Sequence, residues 1–260
     1  MAKKKPGKGK KRTNHPSDSS PEKEMILSLT ASPETPAETP PAMTPPLHME
    51  AGNDVQEQEN EARFFYHSLE TPWTLFFLDG DAVRNSNDWS SANKQVISFQ
   101  TVEEFWGTCK SIIPVADLSR GSDYSFFRGG LGEMRMIRPE WEDVANSNGG
   151  SWRMTLSTVS VKKSSINELY RELLMLLVGE QFDDFNNDVN GLVVSCRSGS
   201  FRFAIWTGTT LREACLAIGR KIAGVLTGEC WAKLEFYDHG SMNINPGRGR
   251  KAPVPMYSLA

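Results

Sequence analysis

Three segments of this chain begin with the same four-residue device, and short β-prone stretches separate them. TVEE (Thr101 to Glu104), SINE (Ser165 to Glu168) and TLRE (Thr210 to Glu213) each set a hydroxyl at a helix N-cap and a carboxylate three residues on. Such a capping box satisfies two backbone N–H groups that a helix start otherwise leaves without partners. Apolar residues then recur at helical spacing. The first segment continues with Val102, Phe105, Trp106, Cys109 and Ile112, and the second with Ile166, Leu169, Tyr170, Leu173, Leu174 and Leu177. The third gives Leu211, Cys215, Ile218, Ile222 and Val225. Around these helices lie segments rich in β-branched and aromatic residues, at 73–78, 95–100, 123–128, 151–157, 191–197, 201–207 and 232–237. Only RSGS (197–200) joins the fifth to the sixth, which makes a hairpin, and short returns imply antiparallel pairing. The pattern predicts an α+β fold: a curved antiparallel β-sheet with three helices packed on its convex face.

Composition sets the boundaries. Residues 1–60 hold nine of the fifteen prolines, and ASPETPAETPPAMTPP has neither apolar periodicity nor an aromatic residue. A stretch of that kind buries too little surface to offset its chain entropy. Residues 1–60 therefore read as a disordered basic and Pro-rich tail, 61–240 as one domain, and 241–260 as a flexible C-terminal tail. KKKPGKGKKR places seven basic residues in the first twelve positions, so residues 13–260 carry −10 of a total of −3. An acidic body cannot hold nucleic acid through a broad basic face, and any nucleotide it takes has to be gripped locally. The basic head reads as a solvated tail, with a nuclear-import or RNA-grazing patch as the alternative.

The four cysteines (109, 196, 215 and 230) show no Cys-x-x-Cys spacing and suit reduced, buried thiols. No apolar run reaches the roughly 20 residues of a membrane span, and no secretory signal opens the chain. A cytoplasmic monomer is expected, with the nucleus as a second location. Only His67 and His239 lie in the folded body, with no metal-ligand cluster and no nucleophile beside a base. That composition argues against a hydrolase, and no cofactor is expected.

Two tryptophans stand where packing has little use for them. Trp89 lies in SNDWSSANK and Trp141 in RPEWEDVANSNGGSW, both polar loops. Two parallel indole faces make a slot for a flat ring and favour a cationic one, by up to about 2 kcal/mol per desolvated ring. Glu142, beside Trp141, offers a carboxylate to a ring edge with two adjacent N–H donors. Guanine has that edge, and methylation at N7 makes it cationic. Arg197 and Arg202 flank the hairpin turn and can meet phosphates, while Trp206 can pack on an N7-methyl group.

Taken together, HSLETPW, DW, TVEEFW, WE…GGSW, LLVGEQFDD and VVSCR…AIWT resemble the eukaryotic cap-binding translation initiation factors of the 4E type over residues 63–240. The resemblance implies a cupped antiparallel sheet backed by three helices, binding the 7-methylguanosine cap of messenger RNA. It assigns Trp89 and Trp141 to the stack, Glu142 to the base edge, Trp206 to the methyl group, and Arg197 and Arg202 to phosphate. It also implies a docking surface at His67, Val102, Trp106, Glu172 and Gly179. The partner there is a scaffold initiation factor of the 4G type, or a 4E-binding protein, carrying a helical Tyr-x-x-x-x-Leu-apolar segment.

This chain departs from that pattern in several places. Ser68 follows His67 where the family has proline, and Arg171 replaces a leucine on the docking face. Gly199 stands for a frequent lysine and Ser151 for an arginine, so the triphosphate grip is expected to weaken or to move to Arg153, Arg248 or Arg250. GGLGEMRMIRPE is longer than the family's approach to the second stacking tryptophan. The altered docking face raises an alternative function, a cap-binding repressor or mRNA storage factor with a non-standard partner.

Overall fold

The computed structural model describes residues 66–86, 92–242 and 253–259. Among them, eight strands run β1 Ser68–Leu78, β2 Asn93–Thr101, β3 Asp123–Arg128, β4 Gly150–Ser157, β5 Val189–Arg197, β6 Ser200–Thr207, β7 Leu234–Asp238 and β8 Tyr257–Leu259. They form one sheet in the order β2-β1-β3-β5-β6-β4-β7-β8, and every neighbouring pair is antiparallel. The helices are α1 Gly80–Ser86, α2 Val102–Ser111, α3 Lys163–Val178, α4 Arg212–Val225 and α5 His239–Met242. The three longer ones, α2, α3 and α4, are those the sequence predicts. No helix of the described residues is long and apolar enough to cross a membrane.

Alternation along the strands sorts the side chains into two layers. On one face, Trp73, Leu75, Phe126, Leu192, Val194, Phe203, Ile205, Trp152 and Phe236 join the buried sides of α2, α3 and α4 in one core. Leu173, Leu174 and Leu177 of α3 are almost fully buried there, each contributing about 2 kcal/mol. Trp152 Nε1 donates to the Cys215 carbonyl at 2.9 Å, which ties β4 to α4. The opposite face holds a small second cluster of Phe76, Phe127, Ile137 and Trp206, with Trp141, Val193 and Ala204 packed against it.

Only the first capping box forms as the sequence predicts. Thr101 Oγ1 accepts the Glu104 N–H, and the Glu104 carboxylate accepts the Thr101 N–H. α3 starts three residues earlier than SINE implies, with Lys162 at its N-cap and no side-chain cap. There a carboxylate from across the chain takes over. Glu229 accepts from the Ser165 hydroxyl at 3.2 Å and from the Lys162 amine at 2.6 Å. α4 starts at Arg212 with Leu211 at its N-cap. The hydroxyl that serves its start belongs to Thr209, which accepts the Leu211 N–H at 3.1 Å. Leu211, expected on the apolar stripe, is therefore exposed.

A second correction concerns the C-terminal segment expected as a flexible tail. Tyr257–Leu259 is the edge strand β8, in register with β7 through Phe236↔Tyr257 and Leu234↔Leu259. The cysteines are free, with Cys196, Cys215 and Cys230 buried, and burial pushes the Cys215 thiol up to about 12.

Candidate functional site

The open face of the sheet carries two adjoining cavities. The smaller, about 390 Å³, is lined by Trp141, Glu142, Trp206, Asn93, Asp123 and Val193 among others. The larger, about 730 Å³, shares Trp141, Val193 and Trp206 and extends to Arg153, Arg197 and Arg202. The strand register explains this order. Trp206 and Arg202 sit four residues apart on β6 and so face the same side, with Arg202 opposite Ser195 and Thr155. One end of the groove is aromatic and the other is basic.

Trp141 and Glu142 belong to the loop between β3 and β4. Trp141 is half-buried against the second cluster, and Glu142 is exposed. Asp143 organises the loop. Its carboxylate accepts from Arg135 Nη1 and Nη2 at 2.9 and 2.6 Å, and from the N–H groups of Arg138 and Ala145 at 3.0 and 2.9 Å. Burial pushes the Asp143 carboxyl up, but those bonds and the Arg135 charge outweigh it and hold the group at about 2. Asn146 Nδ2 donates to the carbonyls of Arg138 and Glu140, and Asn190 Nδ2 of β5 donates to the Ala145 carbonyl at 2.7 Å. The loop that presents Trp141 is thus riveted to the sheet. Asp143 escaped the sequence reading, although its bond to the N–H two residues on is an Asx turn, a local signal.

Trp206 is backed by Phe127, edge to face at 5.5 Å, and by His239, whose ring centroid lies 4.4 Å away. His239 is buried, and its Nδ1–H donates to the Asn146 carbonyl at 2.8 Å. Nε2 has no partner. Burial lowers this histidine to about 4, so the ring stays neutral.

Arg197 does not stand free at the hairpin. Its Nη1 and Nη2 donate to Asp123 Oδ1 and Oδ2 at 2.6 and 3.1 Å, a bidentate pair that fixes the guanidinium plane. This carboxylate, 74 residues away in sequence, left no local signal. Arg202 is exposed, and its side chain has no hydrogen bond or ion pair among the described residues. Arg153 is partly buried, with its Nε donating to Ser151 Oγ at 2.8 Å and its guanidinium over the Tyr237 ring. Gly199 turns the hairpin at φ +73°, a conformation that strains a lysine. Trp89, the expected second face of the slot, lies outside the described residues, as do Arg248 and Arg250.

The residues expected to dock a partner lie on the helical side. The Val102 N–H donates to the His67 carbonyl at 2.8 Å, which joins the start of α2 to the chain entering β1. His67 Nδ1 meets Glu103 Oε1 at 2.6 Å, and this bond leads the lowering of the Glu103 carboxyl. Trp106 is half-buried, with Phe105 edge-on at 4.9 Å. On α3, Glu172 is half-buried and Arg171 exposed; Gly179 caps the helix end. The next residue, Glu180, pairs with buried Arg128 at 3.0 Å and accepts from Thr71, fixing that end against the sheet.

Comparison with known proteins matches residues 68–252 to the family described as eukaryotic initiation factor 4E. The chain belongs to this family. Eukaryotic translation initiation factor 4E of Saccharomyces cerevisiae is 40% identical over 177 residues, covering 68% of this chain and 78% of the relative. Among solved 4E structures, Ascaris suum eIF4E-3 with an m2,2,7G cap aligns at TM-score 0.64 and 29% identity, over 75% of this chain and 99% of that one. The Caenorhabditis elegans eIF4E-3 complex with the 4E-binding protein Mextli and a cap analog aligns at TM-score 0.63 and 30% identity, over 75% and 100%. The 4E fold thus accounts for the sheet order and for the helices on one face.

Proposed function

We propose that this protein binds the 7-methylguanosine cap of messenger RNA and recruits a scaffold protein that starts translation. One observation carries the reading: Trp141, Glu142 and Trp206 line one cavity, and the groove runs from it to Arg153, Arg197 and Arg202. The base stacks on Trp141, with Trp89 as the second face. Glu142 accepts from the guanine N1–H and exocyclic amine, and Trp206 meets the N7-methyl group. Arg197, held in plane by Asp123, and Arg202 take the phosphates. The relatives support the assignment, since solved 4E proteins are bound to cap analogs and 4E-binding proteins. It is a binding factor, not an enzyme, and it works in the cytoplasm as a translation initiation factor does. A nuclear role for the basic head at 3–12 is the finer reading.

The test is calorimetric titration with N7-methylated and unmethylated guanosine diphosphate. The methylated form binds far more tightly, because only the cationic ring gains from the indole faces; equal affinities sink the reading. Glu142→Ala abolishes the preference for guanine over adenine caps. The helical surface at His67, Val102, Trp106, Glu172 and Gly179 takes the scaffold's Tyr-x-x-x-x-Leu-apolar helix. Exposed Arg171 in its midst favours a second reading, a repressor with a non-standard partner. Recovery of an initiation scaffold and helicase from lysate decides for the activator.

A further inference from the structure

The basic end of the groove does not finish at Arg202. β7 pairs with β4 as far as Arg153↔Glu235; Gly228–Cys230 before it is a short 3-10 turn, and Trp231 follows it in extended backbone. Cys230 is buried, with its Sγ donating to the Ser165 carbonyl at 3.4 Å, and Ala232 packs on the main core. Lys233, Glu235 and Tyr237 line the larger cavity on the other face. Trp231 has extended dihedrals (φ −62°, ψ 125°), so the two-residue period places its indole on the side of Lys233. It is 61% exposed.

The register locates it further. Continued past Glu235, it sets Lys233 level with Thr155 and Arg202, and Trp231 level with Ser157 and Ser200 at the hairpin end. Ser200 lies six residues from Trp206 on β6, and β7 is two strands from β6. On that extrapolated register, about 20 Å along the strands and about 10 Å across them separate Trp231 from the base cavity. A mononucleotide seated at Trp141 ends short of it, whereas the first nucleotides of a transcript run toward it. Lys233 is exposed beside it, paired with Glu235 at 2.6 Å, and Arg202 lies between it and the cavity. An open indole flanked by cations on a continuation of a phosphate groove is the combination that holds single-stranded nucleic acid.

We propose that Trp231 is a stacking platform for a base of the RNA that follows the cap, with Lys233 and Arg202 attending the phosphates between. This rests on the cap-binding reading. The test titrates the full chain with 7-methylguanosine triphosphate and with a short capped oligoribonucleotide. The wild-type protein binds the capped RNA more tightly. Trp231→Ala reduces that affinity about fivefold or more and leaves the mononucleotide unchanged, while Trp231→Phe keeps most of the gain because any aromatic face stacks. An unchanged capped-RNA affinity in Trp231→Ala overturns the proposal and leaves the indole to a protein partner. Equal weakening of both ligands overturns it too, as does equal wild-type affinity for both. Failure of the wild-type protein to bind the mononucleotide refutes the cap reading itself.

Discussion

Replacing Asp143 by alanine removes the residue that holds the Trp141 loop without touching either cavity. The carboxyl sits at about 2 against an ordinary 3.8, a preference for the charged form worth about 2 kcal/mol. Arg135 is 56% exposed, so solvent screens its share, while the Asp143 side chain is 3% exposed and feels its backbone donors fully. Alanine also leaves the Arg138 and Ala145 N–H groups unpaired, at about 1 kcal/mol or more each unless water enters. Because the same N–H bonds contribute to both figures they do not simply add, and the loss is about 3 kcal/mol. Because the folded-state value is depressed, this stabilisation is complete above pH 3.8 and disappears as pH falls toward 2. Neutral-pH urea unfolding should therefore show the midpoint drop with an unchanged slope. Calorimetry with 7-methylguanosine diphosphate should show weaker binding at temperatures where the variant is still folded. Asp143→Asn, keeping shape but not charge, should fall between. A double-mutant cycle with Arg135→Ala should give a coupling of about 1 kcal/mol or more; coupling near zero together with unchanged cap affinity refutes the argument.

Four further outcomes follow from other contacts. Trp106→Ala should abolish binding of a Tyr-x-x-x-x-Leu-apolar peptide, at a cost of at least about 2 kcal/mol. Cap affinity, on the opposite face, should hold and so serves as the folding control. Arg171→Leu should strengthen such a peptide if the arginine selects a non-standard partner, and unmoved affinity removes support for the repressor reading. Arg202→Ala should reduce the salt slope of capped-nucleotide binding by about 1, and the whole slope should be shallow because Asp123 already neutralises Arg197. His239, lowered from 6.5 to about 4 by burial, binds its proton more readily in the unfolded chain. Stability should therefore fall between pH 6.5 and 4 by about 3 kcal/mol, and His239→Leu should flatten that part of the unfolding profile.

Much of this fold is decided locally, and that part was legible. Six of the seven expected strands lie wholly within observed ones, and the seventh, 232–237, overlaps β7, because alternation and β-branched composition act within a few residues. Thr101 and Glu104 cap α2 as written, since both partners of that box lie within one turn. The Trp141–Glu142 pair in a polar loop pointed to a ligand before any pairing was known. Tertiary structure decided the rest through partners far apart in sequence. Glu229 reaches back 64 residues to bond Ser165, the hydroxyl that the local sequence assigned to the helix cap. Asp123 pins Arg197, and His239 slides behind Trp206 from a segment beyond the last predicted strand. β8 exists because the free edge of β7 offers unpaired backbone groups, which no property of Tyr257–Leu259 alone announces. A short run of residues carries its own φ/ψ preference and its own apolar face. Which carboxylate meets which arginine is fixed only when the strand order closes the sheet.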